Sequence, residues 1–117
     1  MIDDSQIIRF FRRRIPAFAC IPGCHDCCGP VTASPEEMAR LPVKSEAEYA
    51  QALAAWSCPH LGEHGCTAYP ERPLICRLFG TAPDLPCPHG RRPEILIDPK
   101  LEEKIYRYMR GTRQVLV

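Results

Sequence analysis

The sequence predicts a small α+β domain, made mainly of short helices and irregular Cys-, Pro- and Gly-rich loops with little strand. Three observations predict it. Thirteen prolines and seven glycines in 117 residues interrupt long helices and central strands. Apolar residues recur at helical spacing only over short stretches, several of which open on a serine or aspartate. Between those stretches lie eight cysteines, four of them inside the nine-residue run Cys20-Ile-Pro-Gly-Cys24-His-Asp-Cys27-Cys28. The length suits one domain, residues 1–117, with its motif region at 20–87.

The first helix is expected over Asp4–Arg14, where Ile7, Ile8, Phe10, Phe11 and Ile15 follow i, i+3, i+4 spacing until Pro16 stops it. Arg12, Arg13 and Arg14 then read as cations offsetting the dipole at the helix end rather than as a phosphate contact. Ser34, Pro35 and Glu37 form a capping box that opens a second helix, to stop near Leu41. Ser45 and Glu48 open a third, running through Tyr49, Leu53 and Trp56 with an apolar face. Gly65–Tyr69 is expected as a short strand, and Leu74–Phe79 as a two-turn helix closed by Gly80. After the short apolar run Ile95–Ile97, Asp98 and Pro99 cap a last helix with Leu101, Ile105, Tyr108 and Met109 on one face.

Clustered cysteines mean either a disulfide scaffold or a metal site, and the compartment separates the two. Asp3 and Asp4 lead the chain, and Arg9 breaks the first apolar stretch, so no secretory leader is expected. No window approaches the roughly 18 to 20 apolar residues of a membrane span. A cytoplasmic setting follows, in which thiols stay reduced and cysteine clusters bind metal. The adjacent pair Cys27-Cys28 points the same way, because a disulfide between neighbours closes a strained ring. Two neighbouring thiolates can instead diverge, one into a metal site and one into a second site or the core.

Thiolate is a soft ligand that selects zinc, copper(I) or iron–sulfur clusters over magnesium or calcium. Cys20, Cys24, Cys27 and Cys28 offer several donors from one loop, and Cys58, Cys66, Cys76 and Cys87 complete the candidate metal ligands. The spacing of Cys20, Cys24 and Cys27 is similar to the three-cysteine loop of radical S-adenosylmethionine enzymes, which resembles this chain in spacing alone. A [4Fe–4S] cluster is therefore admissible, as is zinc in a tetrahedron of sulfurs at about 2.3 Å. Eight thiols suffice for two four-cysteine sites, or for one site and a remainder.

His25, His60, His64 and His89 are candidate substitutes for thiols, or donors to a metal-bound sulfur. His60 and His89 each follow Cys-Pro, an echo of three residues. Arg72 and Arg77 flank Cys76, where a cation would offset accumulated thiolate charge, and Tyr69 reads as core or as a hydrogen-bond donor. Fifteen Lys and Arg against fourteen Asp and Glu argue against a nucleic-acid partner.

With those residues assembled, the chain resembles the small bacterial cysteine-cluster proteins of the CxxCxxCC type, described as zinc- or iron-chelating domains. The matching residues are Cys20, Cys24, Cys27 and Cys28; then Cys58-Pro-His-Leu; then Gly65-Cys66-Thr-Ala-Tyr69, Arg72-Pro73, Cys76-Arg77 and Phe79; and finally Cys87. One extra residue separates Cys20 from Cys24 relative to the family spacing. The resemblance implies zinc or iron as the cofactor. The related cysteine module of flagellin lysine methylases implies an iron–sulfur cluster as one form of it.

The expected function is thus metal binding, with a metal ion or cluster as partner, no membrane, and no protein partner identified. No serine–histidine–acid set, Walker loop or dinucleotide fingerprint occurs. Three alternatives stand beside it: a redox or modifying enzyme with an open or iron–sulfur site, a zinc-stapled interaction module, and a secreted disulfide scaffold.

Overall fold

A computed structural model describes residues 3–21, 24 and 28–117. Cys27 and His25, both candidate ligands, lie outside the described residues. The elements in chain order are α1 (Asp4–Arg14), β1 (Thr32–Ala33), α2 (Pro35–Met38), α3 (Glu46–Ala54), β2 (Leu61–Gly62) and β3 (Gly65–Cys66). A 3-10 turn (Tyr69–Glu71), α4 (Leu74–Leu78), α5 (Pro99–Gly111) and β4 (Val115–Leu116) follow. The α+β class of short helices with little strand is what the sequence predicts. Among the described residues no helix is long and apolar enough to cross a membrane.

The helices begin where their caps dictate. Asp3 accepts from the Gln6 N–H while the Gln6 side chain accepts from the Asp3 N–H, a reciprocal box at the head of α1. Ser34 with Glu37 and Ser45 with Glu48 do the same for α2 and α3. The apolar stripes of α1 and α5 then meet α4. Ile8, Phe11, Ile15, Leu74, Leu78, Ala82, Ile97 and Ile105 form one buried core, with Phe11 edge-on to Tyr108 at 5.9 Å between ring centroids.

Two expectations fail in instructive ways. The apolar face of α3 is not buried: none of its residues is, and Trp56 just beyond it is 75% exposed. Its end is a Schellman turn, in which the Ser57 N–H reaches the Ala52 carbonyl at 2.8 Å and the Trp56 N–H the Leu53 carbonyl at 3.0 Å. That turn forces Trp56 to φ +52°, a position glycine ordinarily fills. The strand expected over 65–69 shortens to Gly65–Cys66, paired antiparallel with Leu61–Gly62, because the chain turns at Tyr69 into the 3-10 segment. Among the described residues the run Ile95–Ile97 pairs with no strand; Ile97 is buried and its N–H reaches the Thr81 carbonyl at 3.0 Å.

A pairing with no local signature joins the segment after the first cysteine loop to the last described residues. Thr32 and Ala33 lie antiparallel to Leu116 and Val115, and the Val117 N–H donates to the Val31 carbonyl at 2.9 Å. Ala33, Leu41, Ala68 and Val117 make a second, smaller buried cluster, and Cys58 and Cys66 pack against it.

Candidate metal centre

The cysteines come from unlike supports. Cys20, Cys24 and Cys28 lie between α1 and β1, each outside regular secondary structure. Cys58 starts a turn in which the Leu61 N–H donates to the Cys58 carbonyl at 3.1 Å, and Cys66 closes the β2–β3 hairpin opposite Leu61. Cys76 sits inside α4 between the core residues Leu74 and Leu78. Cys87 lies in the Pro-rich loop after α4, and starts a turn matching that at Cys58: the Gly90 N–H reaches the Cys87 carbonyl at 3.0 Å.

The Cys-Pro-His echo is therefore also a structural one. In each copy the histidine N–H faces the sulfur two residues before it. His89 donates to Cys87 Sγ at 3.4 Å. At Cys58, burial and the nearby Cys66 push the thiol pKa up, while the backbone N–H groups of His60 and Leu61 pull it down. Such N–H groups stabilise a thiolate once a metal has displaced the proton.

The sulfurs border two adjoining cavities. The larger, about 440 Å³, is lined by Cys20, Cys24, Cys28, Cys58, Cys66 and Cys76 together with His60 and His64. The smaller, about 40 Å³, shares Cys20, Cys24 and Cys76 with it and adds Cys87 and His89. Every described cysteine thus borders one cavity or the other, and no disulfide joins any two of them. Among the described residues, no three His, Cys, Asp or Glu side chains already stand close enough to share one ion.

Several groups brace these walls. Glu37, buried in its capping box, accepts from the Leu74 N–H at 2.6 Å, and so caps α4, whose own N-cap residue, Pro73, makes no side-chain bond. Arg12 and Arg77 both donate to the Pro70 carbonyl, at 2.6 and 2.7 Å, and Arg12 also pairs with Glu71 at 3.1 Å. Burial, with Arg12 and Arg72 nearby, lowers the Arg77 pKa to about 10. Arg77 is accordingly a bracket for the turn before α4. Arg72 is the arginine at the cavities: it lines both, and its guanidinium lies 3.8 Å above the Tyr69 ring. The Tyr69 hydroxyl is 4.0 Å from Cys20 Sγ, and burial raises its pKa.

The sequence reading gives no role to Phe18, and none to Glu37 beyond its own capping box. Phe18 lines both cavities, and its ring occupies the space where a side chain on Gly80 would point. Gly80 at φ +86° was the available signal, since only a glycine lets the chain turn there with the ring so close. Glu37 carried the signal of a capping box, but its second oxygen serves a helix far along the chain.

The residues present fit a soft metal ion. Their donors are thiols, and both ring nitrogens of the buried His60 lack a hydrogen-bond partner among the described residues. A metal held by Cys20, Cys24, Cys28, Cys58, Cys66, Cys76 or Cys87 would draw those separate supports together, and its binding free energy would be folding free energy. No curated protein and no solved structure matches the chain. The CxxCxxCC family model, described as a "putative zinc- or iron-chelating domain", matches residues 19–108. With that match covering most of its length and the cysteines arrayed around common cavities, the chain belongs to the CxxCxxCC family.

Proposed function

We propose that this chain is a single metal-binding domain, working in the reducing cytoplasm, that holds zinc or iron. Its ligands are drawn from Cys20, Cys24, Cys27, Cys28, Cys58, Cys66, Cys76 and Cys87. One observation carries the reading: six of these cysteines, from four unlike supports, line one cavity. Chance burial of small apolar side chains would scatter thiols through the helical core, yet no described cysteine belongs to that core. Metal supplies cohesion where the apolar cluster under Cys58 and Cys66 is small.

Metal analysis of protein purified without oxygen, read with its visible spectrum, tests the proposal. Stoichiometric zinc or iron is expected. Stoichiometric disulfides with no metal would overturn it.

A second reading, an iron–sulfur redox component, is favoured by Arg72, a cation at the wall of both cavities. Positive charge beside a thiolate-bound cluster stabilises its reduced state and raises its potential. Visible absorbance that bleaches on reduction is the expected sign of it. A colourless zinc protein would sink this second reading and leave the first.

A further inference from the structure

His60 is 2% exposed, and its backbone is fully engaged. Its carbonyl accepts from both the N–H and the hydroxyl of Thr67, at 2.8 and 2.7 Å, and its N–H faces Cys58. Those bonds pin the residue between the Cys58 turn and the start of the hairpin. The imidazole, in contrast, has Nδ1 and Nε2 both buried and neither paired among the described residues. A buried histidine ordinarily satisfies both nitrogens, one as donor and one as acceptor. The cavity that this ring helps to line is the one bordered by Cys58 and Cys66.

We infer that His60 gives a ring nitrogen to the metal beside Cys58 and Cys66, making a centre of mixed sulfur and nitrogen donors. The inference rests on the thiolate centre proposed above and adds a ligand that is not a cysteine. His64 lines the same cavity but is exposed at the hairpin tip, with its ring open to solvent. A nitrogen in place of a fourth thiolate leaves the centre one negative charge smaller. It also lets one short segment, Cys58 to Cys66, supply three donors once the metal pulls them together.

The test is zinc K-edge X-ray absorption on the full chain loaded with Zn(II). Wild-type protein should show a nitrogen at about 2.0 Å beside sulfurs at about 2.3 Å. The nitrogen should remain in His64→Ala and be replaced by sulfur in His60→Cys, a variant that keeps a soft donor at that position should His60→Ala fail to fold. A sulfur-only shell in the wild type would overturn the inference while leaving the thiolate centre standing. So would a nitrogen that survives in His60→Cys. Failure to take up zinc or iron at all would sink both.

Discussion

In the helical core, Ile8, Phe11, Ile15, Leu74, Leu78, Ile97 and Ile105 bury large side chains from three helices and one loop. Beneath the cysteines, the buried cluster is Ala33, Leu41, Ala68 and Val117. Each large apolar side chain removed from water contributes about 1.5–3 kcal/mol, and alanines much less. The first region therefore has its own cohesion, and the second borrows from its neighbours. The difference shows how one short chain divides its labour. Helices supply the frame, and the loops leave their thiols partly buried along the cavity walls. Cys76 joins the two, since α4 buries Leu74 and Leu78 on one side and presents a thiol to the cavities on another.

The largest expected effect breaks the weaker region. Chelating the metal should remove several kcal/mol, as for structural zinc sites, and hydrogen exchange should quicken first at 58–67 while α5 stays protected. Uniform exchange would show that the two regions do not differ in this way. Cys76→Ser should lose metal together with much of the fold, because it severs the joint between them. Metal content and thermal stability unchanged in that variant would remove Cys76 from the ligands.

On the other side of the comparison, Leu78→Ala or Ile105→Ala should cost about 2–5 kcal/mol in chemical denaturation of the loaded protein. Both positions are fully buried. Gly80→Ala should cost about 1–2 kcal/mol for its left-handed backbone alone, and more for the collision with the Phe18 ring. Trp56→Gly should act in the opposite direction, raising stability by about 1 kcal/mol, since Trp56 sits at φ +52° and is mostly exposed. A loss of stability there would mean that the indole has contacts worth more than the strain. His64→Ala should be close to neutral for both stability and bound metal.

How much of this was legible in the sequence depended on distance along the chain. Capping boxes and apolar stripes act within one or two turns, so α1 and α5 and the starts of α2 and α3 could be read directly. The apolar face of α3 misled, because spacing says that Leu53 and Trp56 share a face but not whether anything covers it. The pairing of Thr32–Ala33 with Val115–Leu116 left no sign, for two-residue strands have no periodicity to detect. For the site, the cysteines were plain from their clustering. That six share a cavity with His60 follows from tertiary packing, as does the cap that Glu37 gives to α4. No local pattern encodes either.

The β1–β4 pairing also bears on the order of events at the ribosome. Thr32 and Ala33 fix the exit of the loop that carries Cys20, Cys24 and Cys28, and they are held by residues made after every cysteine and after α5. All eight thiols are thus synthesised before the strand that anchors the first of their loops exists. Until 115–117 emerge, the nascent chain presents its thiols unclosed, open to oxidation or to whichever soft ion arrives first. A metal arriving at that stage would meet cysteines whose first loop is not yet anchored.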